Sequence, residues 1–211
     1  MKSSLIALAL VLGVPTAAAA PAVAQEAAGP ATPAQQKAAA DFIDKLAADA
    51  FAVLKDKSLT RDQARTKFRT LLKGNFDVDA AGLRLIRTYR APNSPIKLTD
   101  AQVNAYRAAL PDFLVNTYSD RLYDFATAKV TIVRTAPRGN RGDVDVYTRI
   151  TDPKGGKPID AIWQVKGGAK PLVSNITVNG VNVALTQEAD FKAYIEKNGF
   201  DALVEFMKKS K

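Results

Sequence analysis

Histidine and cysteine are both absent from the 211 residues. Without imidazole or thiol the chain has no ordinary zinc site, no histidine base and no thiol nucleophile. It also forms no disulfide, so an exported version of it must be held together by packing alone. A glycine-rich phosphate loop is missing too. Gly139 and Gly142, Gly155-Gly156 and Gly167-Gly168 stand between strand-like segments rather than ahead of a helix. Long apolar runs are scarce: Leu5 to Val14 covers about ten residues, and a bilayer-spanning helix needs ~20.

That short run follows Lys2 and precedes Ala22-Val23-Ala24, a small-x-small cleavage pattern. Residues 1–24 therefore read as a secretory signal rather than an anchor. No cysteine follows the cleavage site to carry a lipid. The Ala-rich start suggests a bacterial exported protein, soluble in the periplasm, and a monomer is expected. Residues 25–36, "QEAAGPATPAQQ", read as a flexible Ala/Pro leader. Residues 37–211 remain as one domain, large enough to bury a core and spare some volume for a cavity. The formal charge is +9, or +8 once Lys2 is removed (9 − 1). Scattered cations such as Arg84, Arg87, Arg90, Lys208 and Lys209 keep the protein in solution or draw it to an anionic surface. Export excludes nucleic acid as a partner.

Helical spacing dominates the first half. Phe42, Leu46, Ala50 and Val53 form one stripe over 37–55. Thr60 with Gln63, and Thr99 with Gln102, have the spacing of capping boxes. The first opens a helix that buries Ala64, Phe68, Leu71 and Leu72 and closes near Gly74. Phe76-Asp77 leads into a further helical stretch with Val78, Leu85 and Ile86. The second opens a helix with Val103, Tyr106, Leu110, Phe113, Thr117 and Tyr118 on one face. Pro111 inside that run predicts a kink or a break.

Near residue 127 the period changes from 3.6 to 2. "KVTIV" (129–133), "DVDVYTRI" (143–150), "PIDAIWQV" (158–165) and "PLVSNITV" (171–178) alternate, and Gly-rich turns separate them. They predict an antiparallel meander, with Val181 to Leu185 as a fifth piece. The alternation slips phase at Asn179-Gly180. Either the segment lines a pocket and then bends into a helix that closes it, or the slip is an ordinary hairpin over a filled core. Helix returns over "TQEADFKAYIEKNGF", ends at Gly199, and resumes with Leu203, Phe206 and Met207. The fold class is α+β, with helices first, a twisted antiparallel sheet of four to five strands next and helices last.

Catalytic patterns are thin. Asp143, Asp145 and Asp160 alternate with apolar residues and should face solvent. Asp124 beside Tyr118, at the helix-to-sheet junction, is the one arrangement suited to proton abstraction. The aromatic inventory is richer: Phe68, Phe76, Tyr89, Tyr106, Phe113, Tyr118, Trp163 and Phe191 come from both layers, enough for a core and a pocket.

One ordered set of residues resembles a known family. Phe68, Leu71, Leu72, Phe76-Asp77, Phe113-Leu114, Thr117-Tyr118 and Leu122 form its first half. Asn179-Gly180-Val181-Asn182, Thr186-Gln187, Phe191, Asn198-Gly199 and Leu203 form the second. Over residues 40–207 the chain resembles the MlaC-type proteins, the toluene-tolerance auxiliaries of ABC lipid transporters. The resemblance implies a periplasmic phospholipid carrier, neither an enzyme nor dependent on a cofactor or metal. Its partners would be an inner-membrane ABC transporter with its substrate-binding hexamer and an outer-membrane lipoprotein complex. The implied pocket wall takes Phe68, Leu72, Phe76, Ile86, Tyr89, Tyr106, Leu110, Phe113, Leu114 and Tyr118 from the helices. The sheet and its sequel supply Val130, Ile132, Val146, Trp163, Val165, Ile176, Val178, Val181, Val183 and Phe191. Four positions depart from the family pattern: Asn175 replaces an Asp, Asn179 a Glu, Asn182 a Ser and Glu188 an Arg. Together they predict the loss of an ion pair holding the final helix to the sheet. Another hydrophobic ligand, such as a hopanoid-related lipid, is the alternative.

Overall fold

Threonine and glutamine three residues apart open three of the helices. In α1 (Pro33–Lys55), α2 (Arg61–Asn75) and α5 (Asp100–Leu122), the cap Thr hydroxyl accepts from the Gln backbone N–H. The Gln side chain answers to the Thr backbone N–H. Two of these boxes are the ones expected. The third, Thr32 with Gln35, lies inside the segment read as a flexible leader. The computed structural model describes residues 29–94, 96–168 and 170–210; the expected signal segment, 1–24, lies outside them.

The leader expectation needs correcting from residue 29 onward. Ala31 is buried against the sheet core, and Gly142 donates its N–H to the Gly29 carbonyl at 3.0 Å. The Ala/Pro composition suggested looseness, but the cap and Pro33 at the first helical turn start a long helix there.

Between α2 and α5 lie two short helices, α3 (Val78–Leu85) and α4 (Arg87–Arg90). Asp77 caps α3 by accepting from the Ala80 N–H at 3.3 Å. The helix α5 stays continuous through Pro111, so the expected break is absent. Its packing against α2, α3 and α7 (Phe200–Lys209) supports the turn that lacks a backbone donor.

After a single 3-10 turn at Tyr123–Phe125 the chain enters the meander. Strands β1 (Lys129–Arg138), β2 (Asp143–Thr151), β3 (Ile159–Lys166), β4 (Leu172–Val178) and β5 (Val181–Asn182) pair in sequence order, all antiparallel. Register sets one apolar face: Val130 opposite Ile150, Ile132 opposite Thr148, Val146 opposite Trp163, and Trp163 opposite Ile176. The Trp163 indole N–H donates to the Thr148 hydroxyl at 3.0 Å and satisfies a buried polar atom inside that face. On the opposite face Arg138 pairs with Asp145, Arg149 with Asp160 at 2.7 Å, and the Arg134 guanidinium lies over the Tyr147 ring. Asp143 instead accepts from the Gly167 N–H at 2.9 Å and ties two hairpin turns together.

The phase slip is an ordinary hairpin turn. Asn179 and Gly180 have φ of 47° and 82°, both in the left-handed region, so they form the two-residue turn that joins tightly twisted strands. Only Val181 and Asn182 then pair. Asn182 accepts from the Leu185 N–H and starts α6 (Val183–Asn198), so Val183 and Leu185 are helical, not strand. Gly199, at φ 87°, ends that helix as expected.

Three apolar clusters result. The helical one joins α3, α4, α5, α6 and α7 through Ile86, Tyr106, Leu110, Phe113, Phe191 and Leu203. A second lies between α1 and the sheet, with Ile43, Val144, Val146, Val165 and Val173. The third joins α1, α2 and α5 through Val53, Ala64, Phe68 and Val115.

Candidate functional site

The α2–α3 corner is tied directly to β4. Phe76 caps the C-terminus of α2 and bridges Val173 in parallel fashion, while the next N–H, of Asp77, donates to the Val173 carbonyl at 2.9 Å. Lys166 reaches Asp77 at 2.8 Å, and Arg84 donates to the Ser174 carbonyl at 2.7 Å. Beside this tie a cleft of about 310 Å³ opens between the corner, α5 and the start of β4. Phe76, Val78, Leu110 and Leu172 make its apolar floor; Lys73, Asp77, Asp79, Arg107 and Lys170 make its polar rim. Gly82 closes one wall. A Cβ there would stand 2.2 Å from the Leu110 side chain, so glycine lets α3 approach α5 this closely.

The rim is organised by ion pairs. The Lys166 ammonium beside Asp77 holds that carboxyl below its ordinary range, outweighing the opposing effect of burial. Arg107 pairs with Asp79, Nη2 to Oδ2 at 2.7 Å, which raises the guanidinium's already high pKa. Beneath the cleft Tyr106 is fully buried, and desolvation pushes its phenol well above the ordinary range. Its hydroxyl donates to the Gly82 carbonyl at 2.9 Å.

The expected pocket wall is divided among the three clusters. Ile86, Tyr89, Tyr106, Leu110, Phe113 and Phe191 are in the helical cluster, with Leu114 against it. Val146 and Val165 are in the sheet cluster, with Phe76, Ile132, Trp163 and Ile176 against it. Phe68 is in the third, with Leu72 beside it. Only Phe76 and Leu110 of this set line the cleft. Val130 and Val178 are half-buried on the sheet's inner face. Val183 is half-buried at the start of α6. Val181 is 56% exposed and lies outside the cleft lining, because the hairpin puts it at the sheet edge. The apolar pocket between the layers is therefore narrow, and most of its expected wall is closed on itself.

Other expectations also change here. Tyr118 donates to Gln187 at 3.1 Å while Asp124 is exposed, so the two do not form a proton-abstracting pair. The tie between the last helices and the sheet survives these departures. Asn175 donates to the Asn182 side chain at 3.1 Å and accepts from the Ala184 N–H, and Glu188 pairs with Arg87 at 2.9 Å. Among the described residues no three His, Cys, Asp or Glu side chains gather as metal ligands, and no helix is long and apolar enough to cross a membrane. Sequence reasoning missed Lys73, Val78, Gly82, Arg107, Lys170 and Leu172. Gly82 carried a signal, since a glycine inside a helical pattern often marks close packing.

An α+β protein whose meander and helices bracket an apolar cleft with a charged rim has the form of a ligand-binding protein. The family follows from the sequence match: the chain belongs to the MlaC family, whose model, described as MlaC protein, matches residues 44–209. A solved structure with the same fold is the phospholipid-binding protein from Ralstonia solanacearum, in complex with a phospholipid. It superposes with a TM-score of 0.65 at 18% identity, covering 82% of this chain and 96% of that one. No curated protein matches the chain.

Proposed function

We propose that this protein is a periplasmic phospholipid carrier that takes acyl chains into the cleft between the α2–α3 corner, α5 and β4. The observation that carries the reading is the position of that cleft. Its floor is made of Phe76 from the edge of the sheet cluster with Val78 and Leu110 from the helical cluster. Lys73 lies beside Leu72 of the third. A chain inserted there meets the seam between separately packed apolar bodies.

On this reading the cleft must widen to accept a lipid. About 310 Å³ holds roughly the liquid volume of ten waters, ~30 Å³ each, far less than two acyl tails require. Tails burying ~0.8 kcal/mol per methylene represent more than ~20 kcal/mol of hydrophobic free energy. As the clusters part, tail methylenes replace the side-chain contacts that are lost, so opening is offset contact by contact. Residues such as Tyr106, Phe113, Trp163 and Ile176 form the wall only in that opened state. A carrier of this kind needs apolar surface and a covered route rather than a catalytic group, and we assign it no reaction. Delivery would run between an outer-membrane lipoprotein complex and an inner-membrane ABC transporter with its substrate-binding hexamer, supporting outer-membrane lipid asymmetry.

Native mass spectrometry of the protein purified without detergent tests this. A bound mass matching a diacyl phospholipid is expected. A lipid-free protein that also takes up nothing from phosphatidylethanolamine–phosphatidylglycerol vesicles would end the proposal. A bound polycyclic lipid would reassign the ligand to the hopanoid class.

A further inference from the structure

The charges around the cleft do not balance. Its rim carries Lys73, Arg107 and Lys170 against Asp77 and Asp79. Both carboxylates are already engaged, Asp77 by Lys166 at 2.8 Å and Asp79 by Arg107 at 2.7 Å. Counting Lys166, four cations face two carboxylates, a local excess of +2 carried by Lys73 and Lys170. Neither lysine makes an ion pair among the described residues. By contrast, Lys37, Lys45, Lys192 and Lys208 each pair with a carboxylate one turn away on their own helix. Lys73 comes from the last turn of α2 and Lys170 from the β3–β4 loop, so two lysines from different elements line one opening.

We propose that Lys73 and Lys170 form a phosphate-binding site at the mouth of the cleft, which makes the protein select lipids of net negative charge over zwitterionic ones. The inference rests on the carrier reading above. An ammonium is a compact point charge on a flexible stem, suited to a phosphate that arrives in varied orientations. With the phosphate held at the rim, the first methylenes of the lipid fall on Phe76, Val78, Leu110 and Leu172. A headgroup without a cation brings a net charge of −1 and lowers the local excess from +2 to +1. One bearing an ammonium, as in phosphatidylethanolamine, sets a third positive charge beside the two lysines and loses much of the attraction. Both lysines are exposed, so the effect is screened over ~8 Å at physiological salt.

The test is lipid competition on the full mature chain. Protein is incubated with vesicles of equal phosphatidylglycerol and phosphatidylethanolamine and re-isolated, and its extracted lipid is quantified by mass spectrometry. Wild type should be enriched in phosphatidylglycerol about fivefold, as expected of two exposed charge contacts, and high salt should erase the enrichment. Lys73→Gln with Lys170→Gln should keep total lipid but lose the preference, while Lys192→Gln with Lys197→Gln should keep both. Equal headgroup composition in wild type and the cleft variant, with lipid bound in each, overturns the site and leaves the carrier reading standing. No lipid in any protein overturns the carrier reading itself. Inorganic phosphate is titrated into lipid-free protein in parallel. Binding there that needs both lysines, without any lipid preference, would identify a free-anion site and overturn the headgroup role.

Discussion

Tyr106 has no exposed surface; its ring meets Phe191 edge-on at 6.1 Å and Phe200 at 5.9 Å, and its hydroxyl caps the Gly82 carbonyl. Removing that hydroxyl in Tyr106→Phe should lower stability by about 1 kcal/mol in urea unfolding, the net worth of a buried hydrogen bond. The same burial gives an alkaline dependence. Its folded pKa is raised, so its stabilising effect is complete below the unfolded value of about 10 and is lost as pH rises beyond it. Wild type should lose stability above about pH 10, less steeply in Tyr106→Phe. Gly82→Ala adds a methyl where Leu110 already stands, and the cleft is the free space into which Leu110 can turn. The expected outcome is a stability change within about 1 kcal/mol, because helix propensity offsets crowding. Lipid loading by native mass spectrometry should fall clearly.

Among the helices that line the cleft, α3 is the shortest, and Asp77 does three things for it. The side chain caps the helix, the same carboxylate meets Lys166, and the backbone N–H ties the corner to β4. Asp77→Ala should cost about 1 kcal/mol from the cap alone. It should also speed amide hydrogen exchange at Ala80 and Ala81 more than in α5. The carboxyl's depressed pKa sets a sign: its contribution is present above the unfolded value of about 4 and is lost as pH falls through the folded value. The acid limb of stability should therefore flatten in Asp77→Ala. Thr99→Ala, which removes a complete capping box from α5, should cost a similar ~1 kcal/mol without touching the acid limb.

At the scale of the whole molecule, the described residues pack as three apolar bodies sharing long helices, and the function would depend on their parting. Wall variants divide accordingly. Phe113 is buried against Phe191 and Phe206, so a charge there breaks the helical cluster and unfolds the protein before lipid binding can be read. Phe76 and Leu172 are half-buried at the cleft. Leu172→Asp should leave circular dichroism unchanged and reduce lipid uptake from vesicles at least severalfold. Unchanged uptake in a folded Leu172→Asp protein would move the route of the acyl chains elsewhere.

Local signals were legible without coordinates wherever they were complete within a few residues. The boxes at Thr60 and Thr99, the Gly199 stop, the switch from period 3.6 to period 2 and the alternation through Val144, Val146 and Trp163 all have local physical causes. So did the box at Thr32, which the Ala/Pro composition around it concealed. The fold class and the apolar faces follow from these, because a stripe or an alternation determines which side of an element must leave water. What that side meets is a different quantity. Tyr106 and Trp163 are equally apolar in pattern, yet they belong to separate clusters. The cleft exists because Gly82 admits α5 closely while the Phe76–Val173 bridge holds the α2–α3 corner to β4. Those contacts join residues 28 and 97 positions apart in the chain (110 − 82; 173 − 76). Periodicity carries no information over such separations, so only the tertiary structure decided where the cavity lies and which charges surround it.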